Sequence, residues 1–270
     1  MKYLFFACCI LLFYSCSTNK NFTLKIKDTQ ADPQTGTAFF KMVVSSNWQQ
    51  RDSLAVMQIL QGNIPKYIKK FVPVKSTITD SNGIMHHAVF YVCPDYLSIG
   101  TDEGFARIPL SAMAAQKIAD SFNCFLPTRK MVDLIYQQAV VKLEPVPTYA
   151  FRDSSITMWQ NNLIIEGQRK GRKGLIAGIE KDLVISGKLL TEKPHHQAIY
   201  GRHRLNGIPI QPLYTGHINW WVDYSHGIRL IYRKIKVDGK EMDYTNVLAS
   251  TIYQKLLCDE ENCNFYKYDY

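Results

Sequence analysis

The sequence has no apolar run long enough to cross a bilayer as a helix. Its longest, Tyr3 to Tyr14, is twelve residues, against about 20 for a span, which excludes a multi-span membrane protein. It has no internal repeat and no low-complexity tract, and its composition excludes a coiled coil and a disulfide miniprotein. With 15 glycines and 11 prolines in 270 residues it cannot be a collagen. Acidic residues are the scarcer charge: 23 Asp plus Glu against 32 Lys plus Arg, for a net charge of +9 and a pI near 9.1. The composition is otherwise that of a folded chain, 46% hydrophobic and 20% charged, which also excludes disorder throughout. Aromatic residues, at 12%, are frequent enough to suggest a recognition surface.

Lys2 followed by the short apolar run reads as a secretory signal. The segment Leu12-Phe13-Tyr14-Ser15-Cys16 then resembles the lipobox of bacterial lipoproteins, in the relaxed form found in Bacteroidetes-like bacteria. The resemblance implies cleavage before Cys16 and acylation of that residue. With Ser17 next and no acidic cluster after it, it further implies a lipid anchor in the outer membrane, on the periplasmic face. The expected organisation is a signal peptide at 1–15, a lipidated tether at 16–36 and one globular domain at 37–270, with 105–147 as a candidate helical sub-domain. Four cysteines remain for the body: Cys93, Cys124, Cys258 and Cys263. The polar loop between Cys258 and Cys263 makes these two the expected disulfide; Cys93 and Cys124 either pair or stay free.

Hydrophobic patterning predicts an α+β fold: a mainly antiparallel sheet with two or three packing helices. Strands are expected at 38–45, 86–93, 198–203, 209–213, 217–223 and 228–237, with 66–74 a weaker candidate and a strand pair at 176–190. Helices are expected at 49–61, at 112–122 capped by Ser111, at 129–140 capped by Thr128, and at 242–257. Asp238-Gly239 signals a hairpin. No regular β–α alternation supports a dinucleotide-binding sheet. The stretch Gly167-Gln-Arg-Lys-Gly-Arg-Lys-Gly174 combines four cations with three glycines, which suits an anion or a solvated loop.

Histidine is confined to two places. His86 and His87 form a pair, and His195, His196, His203, His217 and His226 lie within 32 residues. A strand over 217–223 would put His217, Asn219, Trp221 and Asp223 on one face. Gly227 would permit a turn bringing His226 back to Asp223. The stretch Ala198 to Leu230 resembles a block of uncharacterised secreted bacterial proteins, a resemblance that carries no activity with it.

Three site chemistries fit these residues. The first is a thiol site: Cys124 as nucleophile, His217 or His226 as base, Asp223 or Asn219 as orienter. The second is a zinc site on His203, His217, Asp223 and His226. The third is a metal-free His/Asp acid–base site on a glycan, with Trp220 or Trp221 as a stacking platform and Arg202 supplying positive charge. The expected function is a periplasm-facing hydrolase of peptidoglycan or its peptides. The alternative is a non-catalytic lipoprotein that binds glycan or assists envelope assembly. Export argues against nucleic acid as a partner.

Overall fold

A computed structural model of the chain describes residues 23–26, 33–193 and 195–270. The signal peptide, Cys16 and positions 16–22 and 27–32 of the expected tether lie outside the described residues. No described helix is long and apolar enough to cross a membrane.

The fold is α+β. The helices are α1 (Gly36–Met42), α2 (Trp48–Leu60), α3 (Ala112–Ser121), α4 (Arg129–Gln138), α5 (Ser155–Arg169), α6 (Lys188–Glu192), α7 (Tyr244–Ala249) and α8 (Gln254–Leu257), with a 3-10 turn at Lys66–Lys69. The strands are β1 (Val72–Thr79), β2 (Met85–Val92), β3 (Ser98–Gly100), β4 (Phe105–Arg107), β5 (Cys124–Phe125), β6 (Val141–Lys142) and β7 (Ile176–Ala177). They continue with β8 (Lys181–Val184), β9 (His196–His203), β10 (Pro209–Ile218), β11 (His226–Gly227), β12 (Ile231–Tyr232), β13 (Lys234–Val237) and β14 (Lys240–Asp243). One antiparallel sheet runs β14-β13-β2-β12-β5, with β1 also on β2. A second, four-stranded sheet runs β10-β9-β8-β11 and is antiparallel except for β8 and β11. The larger apolar core draws on residues from Leu24 to Tyr268.

Local chemistry accounts for the elements that match expectation. Asn47 and Gln50 form a reciprocal capping box at the start of α2. Ser111 and Thr128 accept from the backbone at Ala114 and Met131, starting α3 and α4 where expected. Asp238 and Gly239 both take positive φ, as a tight hairpin requires, and join β13 to β14. The expected disulfide joins Cys258 and Cys263, while Cys93 and Cys124 are free and buried.

Five expectations need correction. The strand pair expected at 176–190 does not form: β7 pairs with β6, β8 pairs with β9 and β11, and Lys188–Glu192 is helix α6. Residues 38–45 are not a strand: Thr35 caps α1 there, which buries Phe39 and Phe40, and a short apolar run does not distinguish the two states. The strand expected through Asp223 ends at Ile218, because Asn219 and Trp220 turn and Trp221 donates back to the Ile218 carbonyl. The single helix expected at 242–257 is a strand end, α7 and α8, with Asp243 capping α7. The tether is not free throughout, since Leu24 is buried and its N–H donates to the Lys69 carbonyl.

Candidate active site

The site is built on β8, β11 and the turn between Asp223 and His226. Strand β8 is buried along its whole length, yet Glu180 just before it and its first residues, Lys181 and Asp182, are all ionisable. The parallel register sets His226 against Lys181 and Gly227 against Asp182. Gly227 is required by space rather than by backbone freedom. A Cβ there would lie 2.4 Å from the Tyr96 ring and 2.8 Å from the Glu180 Cβ.

Asp223 organises the cluster. Its Oδ1 accepts from the Ser225 hydroxyl at 2.6 Å and the Ser225 N–H at 2.9 Å, which closes the turn. Its Oδ2 accepts from Arg152 at 2.7 Å and from the Lys181 Nζ at 3.1 Å. Burial works to raise its pKa, but His226 in its charged form, then Lys181 and the Ser225 bonds, prevail and hold it well below the usual carboxylate range. Burial lowers the Lys181 ammonium pKa against the pull of Asp223.

His226 lies inside this arrangement, 2% exposed. Its Nε2 is 3.9 Å from Asp223 Oδ1, beyond a hydrogen bond, and neither ring nitrogen has a hydrogen-bond partner among the described residues. Burial first, then Lys181 and His217, push its pKa down to about 3. It is therefore neutral at pH 7, where Lys181, Arg152 and Ser225 are the groups that hold the Asp223 charge. His217, half-buried at the end of β10, stands 6.1 Å from the His226 ring and 6.0 Å from Trp221. Burial and Lys181 lower its pKa as well. Glu180 adds a neutral acid: burial raises its pKa to about 8, and Asn161 donates to its Oε1 at 2.8 Å.

His217, Asp223, His226 and Trp221 are thus brought together, although not by the expected strand. The others go elsewhere. His203 bonds Asp133 at 2.9 Å and stacks on Tyr136. It does not join His217, Asp223 and His226, and no described group of three or more His, Cys, Asp or Glu side chains is placed to hold a metal. The zinc quartet therefore does not form. Cys124 belongs to the other sheet, directs its Sγ at the Phe122 carbonyl, and burial raises its thiol pKa well above the ordinary value. It has neither a base nor the thiolate character of a nucleophile. Arg202 takes a positive φ of 55° and spends its guanidinium on the Tyr224 hydroxyl and the Val146 carbonyl. Asn219 ties down the chain by its backbone, donating to His195 and accepting from Ala112.

Beside the cluster lies a cavity of about 380 Å³ whose lining includes Arg51, Asp153, Trp48, Trp220 and Trp221. Trp48 and Trp220 stack with centroids 5.6 Å apart and planes at 11°. Sequence reading missed Glu180, Lys181, Arg152 and Asn161. The available signal was Glu180-Lys181-Asp182, three consecutive ionisable residues interrupting an otherwise apolar stretch. No protein-family model, curated protein or solved structure matches the chain, so the roles of these residues rest on their geometry.

Proposed function

We propose that this chain is a cell-envelope hydrolase acting on peptidoglycan or its peptides, held at the periplasmic face of the outer membrane by acylated Cys16. The supporting observation is the placement of His226: buried, neutral and unpaired beside an ionised Asp223 and within one ring's reach of His217. A fold gains little stability from burying such groups, and shifted, convergent ionisable groups are the ordinary furniture of acid–base sites. In this reading His217, the more open imidazole, takes the proton of the attacking water. Asp223 stabilises the imidazolium that results. The chemistry needs no metal, and the tryptophans beside His217 offer sugar rings a stacking surface.

The stacked Trp48–Trp220 pair over a polar cavity favours a second reading, a glycan-binding lipoprotein without turnover. Incubation of the purified full chain with sacculi separates the two. The hydrolase reading expects soluble fragments to be released and release to fail in His217→Ala. Retention on sacculi with no product, lost in Trp221→Ala, would support the binding reading instead.

A further inference from the structure

A second hollow, of about 730 Å³, lies between the 3-10 turn and the loop that follows α5. Its lining brings together Arg169 and residues Gly171 to Gly174 of the Gly167–Gly174 segment with the cations Lys66 and Lys70. Arg169 is neutralised by Glu166 at 2.6 Å. Arg172 is fixed at the rim by its bonds to the Gln168 and Arg169 carbonyls, with no carboxylate partner among the described residues. Lys66, Lys70 and Lys173 are exposed and make no ion pair among the described residues. Against these four cations the described residues of the lining hold one carboxylate, Asp102, which accepts from the Tyr67 N–H. The Tyr67 and Phe105 rings, 5.1 Å apart, make part of the wall apolar. A hollow with a cationic rim and aromatic wall suits an anionic headgroup at the edge of an apolar phase.

The path of the chain says which phase. Thr23 bridges Lys70, and Leu24 donates to the Lys69 carbonyl at 2.7 Å. Thr23 and Leu24, the first described residues, therefore lie at the rim of this hollow. Cys16 is seven residues before Thr23, a reach of at most ~25 Å fully extended. A body of this size is roughly 45 Å across, so an anchor on so short a lead turns this face, and not the opposite one, toward the bilayer.

We propose that the hollow rimmed by Lys66, Lys70, Arg172 and Lys173 docks the phosphate of an anionic phospholipid in the leaflet that carries the anchor. The proposal rests on the acyl-anchor reading of Cys16, and it adds an electrostatic contact to the acyl one. It is tested with the full chain carrying Cys16→Ser, so that no acyl chain contributes. Flotation is measured on phosphatidylcholine vesicles with and without phosphatidylglycerol, a comparison in which the apolar leader contributes to both. The chain is expected to prefer the anionic vesicles. Lys66→Gln, Lys70→Gln and Lys173→Gln together should lower that binding on the order of a hundredfold. A control triple of exposed lysines elsewhere, Lys117→Gln, Lys236→Gln and Lys240→Gln, should keep most of it. Equal losses in the two triples, or no preference for phosphatidylglycerol, would overturn the proposal. The mass of the wild-type chain from native membranes reports acylation of Cys16 separately, so failure of the anchor is told apart from failure of the hollow.

Discussion

Asp223→Ala is expected to lower the unfolding free energy by about 3–5 kcal/mol, the range for removing one partner of a buried ion pair. The cost falls mainly on Lys181, whose side chain is 5% exposed and bonds Asp223 at 3.1 Å. Arg152, 45% exposed, can turn to water when its 2.7 Å bond is lost. The Ser225 hydroxyl and N–H also lose their acceptor, which frees the turn. Asp223→Asn should cost less, because an amide oxygen still accepts from Ser225. The double variant Asp223→Ala with Lys181→Met should recover part of the loss, since the stranded charge is gone. The sign with pH follows from the lowered Asp223 pKa. Its contribution is present above the unfolded carboxylate value near 3.8 and fades as pH falls toward the folded one. Urea unfolding of the variants measures all of this; an Asp223→Ala variant within about 1 kcal/mol of wild type would mean that Lys181 is not held by this pair.

His217→Ala should reduce release of sacculus fragments by about 10²–10⁴-fold, the usual share of a general base. Its effect on stability should be small, because the ring is half-buried and among the described residues makes ring contacts rather than hydrogen bonds. Burial and Lys181 depress the His217 pKa below the ordinary value near 6.5. The working neutral form therefore persists into mild acid, and activity should fail only as pH drops through that lowered pKa. Lys181→Met should move this acid limb toward higher pH by removing a neighbouring positive charge. An acid limb that stays in place in Lys181→Met, or full activity in His217→Ala, would take His217 out of the chemistry.

The parts of this molecule that were legible in sequence are those with local signatures. Ser111 and Thr128 announce their helices, Asp238-Gly239 its hairpin, and the short polar loop the Cys258–Cys263 bridge. Helix α5 was not legible. Its buried face is Ser155, Thr157, Met158, Asn161, Asn162 and Ile165, so the side that packs inward is mostly polar and shows no apolar stripe. That polar face is there because Asn161 serves Glu180 and the Tyr224 carbonyl. The histidine–aspartate cluster was legible as composition but not as geometry. Period-two reasoning placed Asp223 with His217 on one strand face, whereas the turn at Asn219 and Trp220 and the parallel pairing of β11 with β8 bring them together. Lys181 and Glu180 were hidden for a related reason: a buried charge has meaning only through its partner, and the partners lie 19 to 42 residues away.

Hydrolysis by this cluster requires two neutral imidazoles beside an ionised carboxylate at pH 7. That arrangement is tested most directly by following the ring nitrogens of His226 and His217 by NMR across a pH titration of the folded chain. Both rings are expected to be neutral at pH 7, His217 to protonate below 6.5, and His226 to stay neutral down to about 3 or until the fold is lost. A His226 that titrates near 6.5 or above would contradict it, for that ring would then be open to water or paired with Asp223 as a cation.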